Sequence, residues 1–143
     1  MLKIVADSTC DLSEEILKKY NIQTAPLIIS IGDKDYRDKI DIQPDEFFGF
    51  IEDLDPPPKT AMPSPIEYLK IFNQAVEEGH TSILCICMSS GTSGAYQSAV
   101  LARGYFLEDN PTWEEKIHIV DSKSMSHGSG WLILKSARMR EAG

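Results

Sequence analysis

The sequence predicts a doubly wound α/β domain, in which a mostly parallel sheet carries helices on both faces. Short apolar runs alternate with segments whose apolar residues recur at helical spacing, and short connections join them. Residues 83–88 are apolar throughout, which is typical of a central strand covered on both faces. The 143 residues, of which 42% are hydrophobic, suit one domain with a core of its own.

The first part of the chain predicts a strand, a helix and two further β segments. A strand over residues 3–6 comes first. Glu14 follows Asp11 at the spacing of a capping box, so we expect a helix to begin at Asp11. Residues 25–31 are rich in β-forming side chains and are expected to form one nearly continuous strand. A turn then leads into a short strand around Tyr36.

Proline residues mark the starts of the next two helices. Pro44 is expected to open the second helix, and the prolines of residues 55–58 are expected to end it. Apolar residues recur in it at helical spacing, namely Phe47, Phe48, Ile51 and Leu54. Ser64, Pro65 and Glu67 stand as the N-cap, first residue and capping-box partner of the third helix. Its predicted buried face consists of Ile66, Leu69, Phe72 and Val76.

The second half of the chain continues the alternation of strand and helix. The central strand over residues 82–88 is followed by a helix, by a strand over residues 117–120 and by a last helix from about Gly128. The side chains expected to face the core are Ala95, Ala99, Ala102 and Phe106 in the first of these helices, and Trp131, Leu134 and Ala137 in the second.

Charge and cysteine content narrow the class of partner. The chain has 14 Lys and Arg against 22 Asp and Glu, a net charge of −8 and no run of basic residues, which disfavours nucleic acid. The sequence contains no long apolar span, so we expect no stable membrane insertion. An odd number of cysteines and no secretory signal predict a reduced, cytoplasmic location. We expect Cys85 and Cys87 to face opposite sides of their strand, and we predict neither a metal site nor a cofactor.

Hydroxyl-rich loops follow three of the predicted parallel strands. Ligands of open parallel sheets bind beyond the carboxyl ends of the strands, where residues 7–9, 89–94 and 121–122 stand, and residues 59–60 add a fourth segment. Residues 89–94 comprise three Ser, one Thr and two Gly before a helix. Backbone N–H groups, the helix dipole and hydroxyls there would suit a phosphate or a carboxylate. A purely structural role, with Ser93 as a helix cap, fits the same residues.

Hydrolytic or phosphoryl chemistry would need a base beside a hydroxyl group. Of the three histidines, only His127 is expected near the edge of the sheet where these loops meet. No Gly-x-Ser-x-Gly elbow surrounds a serine, and no group of His, Cys or carboxylate residues has metal-ligand spacing. We therefore expect a binding site, and an enzymatic function would depend on His127.

Five motifs together resemble the DegV family. They follow the order of that family and consist of residues 7–12 (DSTCDL), 26–29 (PLII), 59–65 (KTAMPSP), 89–99 (SSGTSGAYQSA) and 120–122 (VDS). The resemblance covers nearly the whole chain. It implies a protein that binds a long-chain fatty acid, as the lipid-loading subunit of bacterial fatty acid kinase does, and presents it to a separate catalytic subunit.

The resemblance also implies which residues hold the fatty-acid carboxylate. A threonine and a serine of the family pattern fall on Thr60 and Ser93, and the N–H group of Gly94 stands beside the serine. Further candidate contacts are Ser90, Ser8 and Ser122. Some positions depart from the family pattern, with Ala61, Met62, Thr92 and Ala95 in place of Ser, Gln, Leu and Thr.

The organisation implied by the resemblance is a single amino-terminal domain over residues 1–143, without the second domain that continues the family's proteins. The predicted function is fatty-acid binding without catalysis, and the predicted partner is a fatty acid kinase catalytic subunit. The alternative is a phosphoryl or sugar-phosphate enzyme related to dihydroxyacetone kinase subunits, whose fold resembles that of the family, with His127 in its active site.

Overall fold

The computed structural model describes residues 1–143, which form two sheets and five α-helices. The strands are β1 (Leu2–Asp7), β2 (Ile22–Ala25), β3 (Ile28–Ile31), β4 (Lys34–Arg37), β5 (Lys59–Ala61), β6 (Ser82–Cys87) and β7 (Ile117–Asp121). The helices are α1 (Glu14–Lys19), α2 (Pro44–Phe48), α3 (Pro65–Glu77), α4 (Ala95–Asp109) and α5 (His127–Ala142). Short 3₁₀ turns lie at Ser8–Cys10, Ile51–Asp53 and Pro111–Trp113.

The larger sheet has the strand order β2-β1-β6-β7, and each neighbouring pair is parallel. Helices α3 and α4 cover one of its faces, where Tyr68, Phe72 and Phe106 are fully buried. Helices α1 and α5 cover the other face, where Ile133 and Ala137 are buried. Because apolar side chains alternate between two cores along these strands, the predicted doubly wound α/β class is confirmed.

The central strand β6 carries two cysteines that face the same core. The Sγ atoms of Cys85 and Cys87 lie 3.7 Å apart, and both residues are fully buried. The prediction that they point to opposite faces is wrong, because residues two positions apart in a strand share a face. Burial among apolar side chains raises the pKa of the Cys85 thiol well above its ordinary value, so this thiol stays protonated.

A second, smaller sheet has the strand order β4-β3-β5 with antiparallel pairs, and no sequence pattern indicated it as a separate sheet. The prediction of one strand over residues 25–31 is wrong, since this segment supplies β2 to the larger sheet and β3 to the smaller one. Pro26 has no N–H group for a ladder, and Leu27 donates its N–H to the Ser8 hydroxyl at 3.1 Å. The predicted strand around Tyr36 is confirmed as β4.

Helix α1 begins later than predicted. Its N-cap is Ser13, whose hydroxyl accepts the N–H of Ile16 at 3.3 Å, and not Asp11. Asp11 has a left-handed backbone with a φ of 51°, and its carboxylate accepts hydrogen bonds from the side chains of Ser126 and Lys39. The capping-box spacing was therefore coincidental, because contacts distant in sequence use the Asp11 carboxylate.

Helix α2 begins at Pro44 as predicted but ends at Phe48, well short of the predicted end. None of its residues is buried, so no core contact extends the helix, and a 3₁₀ turn at Ile51–Asp53 follows it.

Helix α3 has its predicted N-cap, and its predicted buried face is correct for Phe72 and in part for Leu69 and Val76, which are half-buried against the same core, but not for Ile66. The Ser64 hydroxyl accepts the N–H of Glu67 at 3.3 Å. The buried side chains are Tyr68, Ile71, Phe72 and Ala75, whereas Ile66 is 61% exposed. In α4 the predicted face is confirmed, since Ala95, Ala99, Ala102 and Phe106 are all fully buried. In α5 the expected core residue Trp131 is 60% exposed, and Ile133 is buried instead.

Candidate functional site

The loops that follow β1, β6 and β7 contact one another, as the predicted parallel sheet requires. Asp7, at the end of β1, is 2% exposed and accepts the backbone N–H of Met88 at 2.7 Å. Asp121, at the end of β7, accepts the N–H of Ser90 at 3.1 Å. Both aspartates therefore hold these loops together.

Three of the candidate hydroxyls have partners within the protein. The Ser8 hydroxyl accepts the N–H of Leu27, and Ser8 is 1% exposed. The hydroxyl of Ser90 donates to Asp121, and that of Ser122 donates to the Ser124 carbonyl at 3.0 Å. These hydroxyls stabilise the loops, and none of the three serines lines the cleft described next.

Thr60, Ser93 and Gly94 line one cleft, although more than thirty residues separate the threonine from the serine in sequence. This Thr60–Ser93 cleft has a volume of about 280 Å³. Its remaining walls are Leu27, Ala61, Met62, Met88 and Thr92. Strand β5 supplies Thr60, and the loop before α4 supplies Ser93 and Gly94. The structure thus brings together the two residues on which the predicted carboxylate site depends.

Hydrogen-bond donors in this cleft lie at the amino end of α4. The Ser93 hydroxyl accepts the N–H of Ala95 at 3.2 Å, which leaves its own proton available for donation. The N–H group of Gly94, which lines the cleft, has no acceptor within the protein, and neither do those of Tyr96 and Gln97 in the first turn of α4. No charged side chain lines the cleft. Because helix amino ends favour negative charge, the cleft suits a small anion without a cation from the protein.

An apolar cleft of about 210 Å³ adjoins the Thr60–Ser93 cleft, and Leu27 and Thr60 line both. Apolar atoms supply most of its surface, and its large apolar side chains are Leu27, Ile29, Ile42, Phe47 and Phe48. Its lining also includes the polar or charged residues Asp11, Asp38, Lys39 and Gln43. No residues of an apolar compartment could be named from the sequence. A partial signal was present, since residues 26–29 form one of the motifs, but the contribution of α2 depends on how the smaller sheet folds over β1.

The geometry does not support a catalytic pair at this edge of the sheet. The Lys123 ammonium and the Ser90 hydroxyl hold the pKa of the Asp121 carboxyl well below its ordinary value. Asp121 is therefore ionised at neutral pH and is a poor proton acceptor for Ser90. His127 is exposed and forms no hydrogen bond with a serine.

Two further findings concern metals and membranes. No three His, Cys, Asp or Glu side chains come together closely enough to hold a metal ion. None of the helices combines the length and apolar character that a membrane span requires.

The doubly wound fold, with a polar cleft at the carboxyl ends of its strands and an apolar cleft beside it, defines an α/β domain with a candidate ligand site at the edge of its sheet. The family model of DegV matches residues 1–143. The chain belongs to the DegV family.

Relatives with high similarity share this family. A DegV domain-containing protein of Clostridium perfringens is 39% identical over 142 residues, which cover 99% of this chain and 48% of the relative. The solved structure of a stearic acid-binding protein of Eubacterium ventriosum superimposes on this chain with a TM-score of 0.92 and 39% sequence identity. The match covers 100% of this chain and 48% of the Eubacterium ventriosum chain.

A more distant solved structure is the B3 protein of the Streptococcus pneumoniae fatty acid kinase, loaded with linoleic acid. Its sequence is 29% identical and the TM-score is 0.82, and the match covers 100% of this chain and 49% of the Streptococcus pneumoniae chain. The chain thus spans about half the length of the relatives that it matches.

Proposed function

We propose that this protein binds a long-chain fatty acid, with the carboxylate in the Thr60–Ser93 cleft and the acyl chain in the adjoining apolar cleft. The observation that carries the proposal is the continuity of a charge-free, donor-lined cleft with an apolar one through Leu27 and Thr60. The fatty acids named for the relatives from Eubacterium ventriosum and Streptococcus pneumoniae support the same ligand class.

The two clefts divide the recognition of a fatty acid between them. In the Thr60–Ser93 cleft, two hydroxyls and the amino end of α4 would donate to the carboxylate, which needs no counter-charge in such a setting. In the apolar cleft, each buried CH₂ group of the acyl chain contributes about 0.8 kcal/mol, so burial of the chain dominates affinity. The polar contacts then fix the orientation of the ligand.

The proposal includes a non-catalytic, cytoplasmic role in which a separate kinase subunit phosphorylates the bound carboxylate. It is supported by the relative named as part of a fatty acid kinase and by the lowered pKa of the Asp121 carboxyl, which makes Asp121 a poor base for the Ser90 hydroxyl whose hydrogen bond it accepts. Incubation of the protein with ATP and a fatty acid is expected to leave both unchanged. Turnover by the purified protein without a kinase subunit would contradict this role.

Native mass spectrometry tests the ligand class directly. The protein as purified is expected to carry a mass increment that denaturing extraction identifies as a long-chain fatty acid. A chain that is bare as purified, and that remains bare after incubation with stearic acid, would overturn the proposed function.

Substitution of either hydroxyl residue is expected to weaken fatty-acid binding. Thr60→Val and Ser93→Ala each remove one donor to the carboxylate and should cost about 1 to 3 kcal/mol, or roughly 5- to 150-fold in Kd. Displacement of a fluorescent fatty acid measures the change. Ser136→Ala serves as the matched control, because the Ser136 hydroxyl bonds only the Leu132 carbonyl of its own helix. If the unsubstituted protein, both cleft variants and the control bound the fatty acid with equal affinity, the carboxylate could not be bound in this cleft.

The free acid is expected to bind at least about tenfold more tightly than its methyl ester of the same chain length. The ester keeps the acyl chain but lacks the negative charge that the amino end of α4 favours. Competition assays with stearic acid and methyl stearate measure the difference. Equal competition by both would show that the chain alone is recognised and that the polar cleft is not the head-group site.

A further inference from the structure

Met62 lies where the polar cleft, the solvent and helix α4 meet. It lines the Thr60–Ser93 cleft and is 48% exposed. Its Sδ atom packs directly on Gly94, so closely that a Cβ atom at Gly94 would overlap the sulfur. The thioether therefore lies against the amino end of α4, beside the N–H group of Gly94 that has no acceptor within the protein.

The other methionines differ from Met62 in exposure or in position. Met88 also lines the cleft but is only 6% exposed. Met1, Met125 and Met139 are 70%, 51% and 64% exposed, and none of the three lines the cleft. Met62 is thus the one exposed methionine that also lines the cleft, where its sulfur packs on Gly94.

We propose that Met62 is an oxidation site through which peroxide lowers the affinity of the protein for its ligand. A lone pair of the thioether sulfur attacks one oxygen of hydrogen peroxide, the O–O bond breaks, and water leaves after proton transfer. The sulfur loses two electrons to the peroxide and becomes a sulfoxide. This inference rests on the proposed function, because the ligand affected is the carboxylate of the fatty acid.

The sulfoxide changes the chemistry of the cleft at the position where the carboxylate would bind. A thioether is a weak acceptor and leaves the donors of α4 available to a ligand. A sulfoxide oxygen is polar and accepts hydrogen bonds, and at Met62 it lies within the space around Gly94. It therefore competes with the carboxylate for the same N–H and hydroxyl donors.

Peroxide treatment followed by binding measurements tests this inference. Dilute hydrogen peroxide is expected to add one oxygen at Met62, as peptide mass mapping would show, and to raise the Kd for stearic acid about tenfold. Met62→Leu keeps an apolar side chain in the cleft and should lose this sensitivity. Met125→Leu removes an equally exposed methionine and should respond as the unsubstituted protein does. Methionine sulfoxide reductase with a thiol reductant should restore the affinity.

Several outcomes would overturn the inference. An unchanged Kd with Met62 oxidised would do so, as would an absence of oxygen at Met62 when Met125 is oxidised. An equal loss of affinity in Met62→Leu would assign the effect to another residue. A failure of the untreated protein to bind stearic acid at all would instead overturn the proposed function.

Discussion

Replacement of Asp7 by alanine is expected to lower the free energy of unfolding by about 3 kcal/mol. The Asp7 carboxylate is buried and accepts hydrogen bonds from the N–H of Met88 at 2.7 Å and from the N–H and hydroxyl of Thr9. Alanine leaves the Met88 N–H buried without an acceptor. Because Met88 lines the Thr60–Ser93 cleft, ligand affinity should fall together with stability.

Denaturant unfolding monitored by circular dichroism measures the change. Asp7→Asn keeps the shape and one acceptor oxygen, so its loss of stability should be intermediate, at about 1 to 2 kcal/mol. Asp33→Ala is the control, because Asp33 is exposed in the turn between β3 and β4 and should change stability by less than about 0.5 kcal/mol. A loss below about 1 kcal/mol in Asp7→Ala would show that the loop after β6 is held by other contacts.

Substitution of Gly130 by alanine is expected to destabilise the fold by about 3 kcal/mol, the upper end of the cost of overpacking. A Cβ atom at Gly130 would overlap the backbone carbonyl oxygen of Cys10 and approach the Cδ2 of Leu12 to 3.4 Å. The Cys10 carbonyl belongs to the backbone and cannot rotate away, so α5 must move from the larger sheet. The gain of about 1 kcal/mol that alanine brings to a helix interior offsets only part of this cost.

Gly104 provides the matched control in a second helix. No atom lies within 4 Å of the position that a Cβ would occupy there, and Gly104 is exposed. Gly104→Ala is therefore expected to stabilise the protein by about 0.5 to 1 kcal/mol. Thermal or denaturant unfolding of the two variants should show changes of opposite sign. Stabilisation by both would mean that α5 does not approach the 3₁₀ turn at Ser8–Cys10 closely.

Features that depend on neighbouring residues were predicted well. The run over residues 83–88 predicted a central strand, and Ser64 with Pro65 predicted the start of α3. The buried face of α4 followed from the spacing of its alanines and Phe106. Such features are predictable because burial on both faces, helix capping and helical periodicity act within a few residues of the chain.

Predictions failed where distant segments compete for the same group or surface. The Asp11 carboxylate binds Ser126 and Lys39, so Ser13 caps α1. An apolar β run predicts a strand but does not say which sheet the strand joins, and residues 25–31 divide between two sheets. Helix α3 buries Phe72 as its apolar spacing predicted, but the centre of its buried face lies on Tyr68, Ile71 and Ala75, and Ile66 is exposed, because packing against the sheet and α4 sets the orientation of the helix.

The candidate site also combines features that the sequence predicted with features that depend on contacts between distant segments. Motif resemblance singled out Thr60 and Ser93 from the sequence, and the fold places them in one cleft. Only the tertiary structure shows that the further candidates Ser8, Ser90 and Ser122 lie outside this cleft and that their hydroxyls stabilise the loops. The apolar cleft and the position of Met62 on Gly94 also arise only in the folded chain. The sequence by itself determines which side chains are present and what chemistry each can perform. Which of them come together depends on how β5, α2 and α4 pack, and that packing results from interactions over the whole chain.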